Sequence, residues 1–304
     1  MKERGGVDTL RSRRASGHMQ YVRWDGFEIL VNRHIHAHLR RALHIHFMKL
    51  HYREYGYYSD QRPTLILLHG LLGASSNWHS IARRLEDRFH LIVPDLRNHG
   101  RSHHTETMSY PAMALDLAGL IDDQGLDSVL LVGHSMGGKV AMWLALTQPG
   151  LVSGLVVVDI APVAYPNRFE AIFAALMMIE VESLESREQA DRALTPVVAE
   201  PGLRQFLLQN LERREGVWRW RCNLSVLKRE MSNIAGFPEL SDRSNYPGSV
   251  LFIRGEVSDY IQPEYIPRIH SLFLHARIRV IPGAGHWVYA EQPEAFYAAL
   301  AGFL

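Results

Sequence analysis

The 304 residues carry 33 lysines and arginines against 32 acids, so no global charge imbalance points to nucleic acid or to an acidic partner. Hydrophobic residues make up 47% and charged residues 21%, ordinary for a globular chain long enough to bury a full core. Cys222 is the single cysteine, which excludes an internal disulfide and fits a reducing compartment. No apolar run reaches the roughly 18 residues of a membrane helix, and the N-terminus lacks the apolar core of a secretory signal. A cytoplasmic location is therefore expected, with no membrane span.

The first 47 residues stand apart. They hold nine basic residues, from Lys2 to Arg41, against four acids, and a histidine cluster at His34, His36, His38, His44 and His46. His34 and His38 would share a helix face, as metal ligands often do, but no carboxylate or cysteine completes a site. A basic extension is expected over 1–47, loosely ordered or with a short amphipathic helix from His34 to Phe47. Its Arg-rich character is also that of an organelle presequence, although the four acids weaken that reading.

From Met48 the pattern becomes regular. Residues around Lys49 to Gly56 open as a strand. Thr64 to Leu68 is a buried strand ending at His69-Gly70, and Trp78 to Leu85 a helix. Leu91 to Val93 is a strand ending at Pro94-Asp95. Tyr110 to Gln124 is an amphipathic helix, Val129 to Val132 a strand, Lys139 to Thr147 a helix, and Gly154 to Val158 a strand ending at Asp159. Continuous apolar runs spaced by helices predict a mostly parallel sheet covered on both faces. Over 162–245 the pattern turns helical with no clear strand. Strands resume at Ser249 to Ile253 and Ala276 to Val280, and a helix over Glu291 to Leu304 closes the chain. The expected organisation is a core of 48–161 and 246–304 with a helical lid, 162–245, inserted after the strand ending at Asp159.

Gly133-His134-Ser135-Met136-Gly137-Gly138 follows an apolar strand and precedes a helix, the context of a nucleophile elbow. Ser135 would sit on a strained turn, where glycines at 133 and 137 avoid clashes with flanking elements. The N-terminus of the next helix would point its free N–H groups at the same spot. A serine hydroxyl needs a base. Where such an elbow is used the histidine comes last in chain order, and His286, in Gly283-Ala284-Gly285-His286-Trp287, lies just past the final strand. A carboxylate must fix the tautomer of that histidine. Two are available: Asp159, ending its strand, and Asp259, in Gly255-Glu256-Val257-Ser258-Asp259 beyond the next strand. Asp159 is favoured, because a strand end facing the site is an odd place to leave a charge, and Asp259 stays as the alternative. The N–H of Met136 and that of Leu71, in His69-Gly70-Leu71-Leu72-Gly73, are the expected oxyanion donors. His69 precedes the serine and reads as structural.

With these residues placed, 48–304 resembles the α/β-hydrolase superfamily. Several segments are similar to the YbfF-type esterases: His69 to Gly73, Asp95-Leu96-Arg97-Asn98-His99-Gly100-Arg101-Ser102, Gly133 to Lys139, and Val158-Asp159-Ile160-Ala161-Pro162-Val163. The resemblance implies hydrolysis of carboxylic esters or acyl thioesters, including acyl-CoA, with the acid on the strand before the lid, which supports Asp159 independently. In most hydrolases of this superfamily the acid is the third residue after the glycine ending the next strand. Here that place is Ser258, and Asp259 comes one residue late. The partner is then a small-molecule ester or thioester, with no cofactor or metal. The insertion carries Phe169, Phe173, Met177, Met178, Phe206, Trp218 and Trp220, some of which should line an apolar acyl pocket; Phe173, Met177 and Trp218 are favoured, with Trp287 beside the base. Alternatives are a C–C bond hydrolase or perhydrolase on the same scaffold, or a non-catalytic ligand receptor.

Overall fold

The computed structural model describes residues 19–24, 27–32, 48–240 and 244–304. It divides into two compact units, Met1–His46 and Phe47–Leu304. In the first unit, β1 (Met19–Trp24) and β2 (Phe27–Asn32) pair antiparallel, from Met19 opposite Asn32 to Trp24 opposite Phe27. These two strands lie within the basic segment 1–47. The histidine cluster from His34 to His46 lies outside the described residues.

The second unit is built on a seven-stranded sheet. In chain order its first half runs β3 (Tyr52–Tyr55), β4 (Thr64–Leu68), α1 (His79–Leu85), β5 (His90–Pro94), α2 (Tyr110–Asp123), β6 (Val129–His134), α3 (Met136–Thr147) and β7 (Val152–Val158). An insertion follows: α4 (Glu170–Met177), α5 (Arg187–Leu194), α6 (Pro201–Leu208), β8 (Leu211–Arg214), β9 (Val217–Trp220), α7 (Leu224–Arg229) and α8 (Met231–Ala235). The sheet is completed by β10 (Val250–Gly255), α9 (Ile266–Leu272), β11 (Ala276–Ile281), α10 (Val288–Glu291) and α11 (Pro293–Ala301). Across the sheet the order is β11-β10-β7-β6-β4-β5-β3, parallel throughout except for β3 at the edge.

Period-two alternation explains why the strands read as unbroken apolar runs. Leu65 and Leu67 of β4 face the side covered by Trp78, Ile81, Phe296 and Leu300, while Ile66 and Leu68 face the side covered by α2 and α3. Both faces are buried, so both sets are apolar. The parallel strands therefore deliver all their carboxyl ends to one edge, where side chains from separate segments can converge.

Three boundaries differ from the sequence reading. The insertion is not purely helical: β8 and β9 form a hairpin whose turn residues Glu215 and Gly216 both have positive φ, 54° and 85°. The helix after Ser135 begins at Met136 rather than Lys139, because the glycines that lower helix propensity are needed for close packing there. The closing helix is broken, since Pro293 starts α11 and cannot continue α10.

Candidate active site

Ser135 lies between β6 and α3 with φ 52° and ψ −118°, a conformation costly for any residue with a side chain. Its neighbours must be small. A Cβ on Gly133 would come within 2.3 Å of the Gly137 carbonyl oxygen, and one on Gly137 within 2.6 Å of the carbonyls of His69 and Leu68. The strained turn exists because these glycines let strand, helix and the loop after β4 pack backbone to backbone. The same loop reaches the serine side chain: a Cβ on Gly70 would stand 3.3 Å from Ser135 Cβ.

His286 enters from the loop after β11. Its Nδ1–H donates to Asp159 Oδ2 at 2.8 Å, so Nε2 is left to accept from the Ser135 hydroxyl at 3.1 Å. The imidazole is held between rings. Tyr260 stacks on it with centroids 3.9 Å apart, and His134 lies 4.7 Å away on a tilted plane. His134 is itself buried and neutral, its pKa driven well below the ordinary value by burial and then by the nearby His286. It donates from Nε2 to the His286 carbonyl at 2.9 Å. Glu291 fixes the loop on both sides, accepting from the N–H groups of Gly285 and Trp287 at 2.6 and 3.0 Å.

Asp159 ends β7 with φ 52° and is fully buried. A buried carboxylate needs several donors. It has the Gly255 N–H at 2.9 Å on Oδ1, and the Ser258 hydroxyl together with His286 on Oδ2. Ser258 thus occupies the place that the acid takes in most members of the superfamily the chain resembles, and donates to the Asp159 carboxylate instead. Asp259 points elsewhere: it pairs with Arg168 at 2.5 Å, both side chains about half exposed.

Leu71 and Met136, the residues expected to supply oxyanion donors, both line the cavity that meets Ser135. Met136 is the first residue of α3, where N–H groups have no partner inside the helix. Leu71 is the second residue of a turn closed by the Gly73 N–H on the Gly70 carbonyl at 3.0 Å. His69 is buried with Nδ1–H on the Gly70 carbonyl and Nε2 accepting from the Leu96 N–H, which leaves no nitrogen for chemistry.

A cavity partly open to solvent meets Ser135. Leu71, Met136 and Ile160 line it from the core, Phe169, Met231 and Ile234 from the insertion, with Tyr110, Lys139, Tyr165 and Tyr260 between. Of the pocket candidates from sequence, Phe169 lines this cavity, whereas the four favoured ones do not. Phe173 is fully buried on the inner face of α4, Met177 is 48% exposed at its end, and Trp218 sits on β9 beside Arg187 and Arg213. Trp287 packs on His286 and Phe206. An apolar pattern identifies a face, and only packing decides whether that face meets a cavity or a neighbouring helix.

One residue that the sequence reading quoted without a role is Lys139. It is buried on α3, and its amine donates to the carbonyls of Val163, Ala235 and Gly236 at 2.8, 2.8 and 2.6 Å. It therefore grips both ends of the insertion. Burial pushes the amine down to about 7, while three carbonyl acceptors match the three hydrogens of an ammonium.

A strained serine at the carboxyl edge of a parallel sheet, reached by a histidine from the last strand's loop, defines the class as α/β hydrolase. The alpha/beta hydrolase family matches residues 65–299, and the chain belongs to that family. It is 42% identical over 250 residues to the sn-1-specific diacylglycerol lipase ABHD11 of Mus musculus, covering 80% of this chain and 81% of that one. It is 37% identical to the esterase YbfF of Escherichia coli, covering 79% and 92%. A solved marine microorganism esterase superposes with a TM-score of 0.81 at 40% identity, over 84% of this chain and all of that one. The chain is a carboxylesterase-type hydrolase. Among the described residues no group of three or more His, Cys, Asp or Glu could hold a metal ion, and no helix is long and apolar enough to cross a membrane.

Proposed function

We propose that the protein hydrolyses carboxylic esters or acyl thioesters with an apolar acyl chain, through an acyl-enzyme on Ser135. The observation that carries this reading is the hydrogen-bonded chain from Ser135 through His286 to Asp159, with the serine on a strained elbow. His286 Nε2 takes the hydroxyl proton as Oγ attacks the carbonyl carbon. Asp159 holds the tautomer and stabilises the imidazolium. The N–H groups of Leu71 and Met136 receive the oxyanion, and losing one such donor costs roughly 100- to 1000-fold. The imidazolium then protonates the departing alcohol or thiol. Water, activated by the same imidazole, releases the acid and frees Ser135.

The residues 162–245 act in this reading as a lid. Phe169, Met231 and Ile234 offer an apolar wall for the acyl chain, consistent with esterase and diacylglycerol lipase activities named for its relatives. The test is a chain-length series of nitrophenyl esters beside acyl-CoA thioesters and a diacylglycerol, with fluorophosphonate labelling of the serine. Labelling of the wild type, lost in Ser135→Ala, together with turnover on at least one ester series, is the expected result. A folded wild type that is neither labelled nor active on any of them would overturn the reading in favour of a non-catalytic ligand receptor.

A further inference from the structure

The Gly70–Gly73 turn places Leu72 at φ 58°, a left-handed conformation that glycine or asparagine adopts readily and leucine does not. Such strain persists only where surrounding groups hold it. Here the two peptide groups of Leu72 are held from opposite directions. On the core side, the Leu72 N–H donates to His99 Nε2 at 3.1 Å. On the side of the insertion, the Leu72 carbonyl accepts from Asn210 Nδ2 at 2.6 Å.

Both holders are themselves fixed. His99 is fully buried, with its Nδ1–H on the Arg97 carbonyl at 2.9 Å, so its tautomer leaves Nε2 as the acceptor the Leu72 N–H requires. Burial and then the neighbouring His69 push its pKa down to about 3, which keeps that acceptor lone pair available. Arg97 is anchored by a bidentate bond to Asp116 at 2.6 and 2.8 Å. Asn210 is 2% exposed and follows α6, and its amide also reaches the Leu207 carbonyl at 3.2 Å. Next to it, Gln209 accepts from Asn77 Nδ2 at 2.8 Å, a second tie from the insertion to the segment after the turn.

We infer that His99 and Asn210 are positioning residues for the oxyanion hole, clamping Leu72 from the core and from the insertion so that the Leu71 N–H is aimed at the substrate oxygen. This rests on the proposed role of the Leu71 donor. It adds that the hole is completed only when the insertion is seated, since one half of the clamp comes from it. The motif Arg97-Asn98-His99-Gly100 then has a purpose: Gly100, whose Cβ would stand 2.3 Å from the Asp95 carboxyl carbon, allows the tight loop that brings His99 under the turn.

The test uses Asn210→Leu, Asn210→Asp, which keeps the side-chain shape but replaces the donor by an acceptor, His99→Phe, and His99→Gln, whose side-chain oxygen can replace the Nε2 acceptor. Turnover of a good nitrophenyl ester and inhibition by a trifluoromethyl ketone, which binds as a tetrahedral adduct, are measured on each folded variant. A misaimed donor weakens only the charged tetrahedral state, so kcat should fall on the order of 100-fold with KM within about twofold. Inhibitor affinity should fall by a similar factor, and His99→Gln should recover most of the loss. Unchanged kcat in folded Asn210→Asp or Asn210→Leu, or a change confined to KM, overturns the clamp. The hydrolase reading fails separately, if the wild type is inactive or if Ser135→Ala retains activity.

Discussion

The core and the insertion reach the same cavity by different physical means. The core positions its groups by backbone: positive φ at Leu72, Ser135 and Asp159, and glycines at 133 and 137 where a Cβ would collide with neighbouring backbone atoms. The insertion is held by side chains that reach main-chain carbonyls across long sequence separations. Lys139 binds Val163, Ala235 and Gly236, Tyr110 binds Ile234 at 2.6 Å, and Asn210 binds Leu72. The first kind of device fixes atoms to within a fraction of an ångström and suits chemistry. The second can be released bond by bond and suits a cover over a substrate cavity.

This contrast can be broken experimentally, most strongly in the core. Ser135→Ala should lower ester turnover by at least about four orders of magnitude while leaving the melting temperature near that of the wild type. Steady-state rates beside calorimetry check both halves. Next comes the acid. Asp159→Asn should cut kcat by about 10⁴-fold, because the amide cannot hold His286 in the same tautomer, whereas Asp259→Asn should change it by less than about twofold. The reverse order of effects would move the acid to Asp259.

The attachment of the insertion is sharpened by Lys139→Met. The methionine fills the space but leaves three carbonyls without a donor. Stability should drop by about 3 kcal/mol, read from urea midpoints, with a smaller loss of kcat than at Ser135 or Asp159. A stability unchanged within error would remove Lys139 from its role as the tie.

A pH dependence tests the burial of His99. His99 is held neutral with its pKa near 3, against an ordinary value of 6.5 in the unfolded chain. Between these values the unfolded state binds the extra proton, so stability is full above about pH 6.5 and falls as the pH drops towards 3. The slope attributable to this group is about 1.4 kcal/mol per pH unit, and His99→Gln should flatten the curve by that amount in a urea series from pH 7 to 4. The smallest effect belongs to the half-exposed Arg168–Asp259 pair, whose removal by Arg168→Ala should cost no more than about 1 kcal/mol and fade in high salt.

Much of the core was legible because its constraints act between neighbours in sequence. A buried parallel strand must be apolar on both faces, and the elbow needs small residues at fixed offsets from its serine, so Ser135 and its strand could be read directly. The hairpin at β8 and β9 carried little signal, since Leu211–Arg214 holds a single apolar residue and neither run alternates. Asp25-Gly26 between β1 and β2 is a hairpin dipeptide in the sequence. Phe173 and Met177 show the opposite case. Both lie on α4 at helical spacing, yet one is buried against the other helices and the other faces solvent, while Phe169 at the start of the helix meets the cavity.

The sequence by itself determined the class of fold and the order of its elements, and marked Ser135 as the candidate nucleophile, because periodicity and glycine spacing are local properties. Tertiary structure decided what surrounds that serine. It brought Asp159, Ser258 and His286 together from three strand ends and joined Lys139 to both ends of the insertion. It also set His99 and Asn210 on either side of Leu72. These contacts span up to 138 residues of chain, and only the packing of the sheet and its cover determines which distant side chains meet.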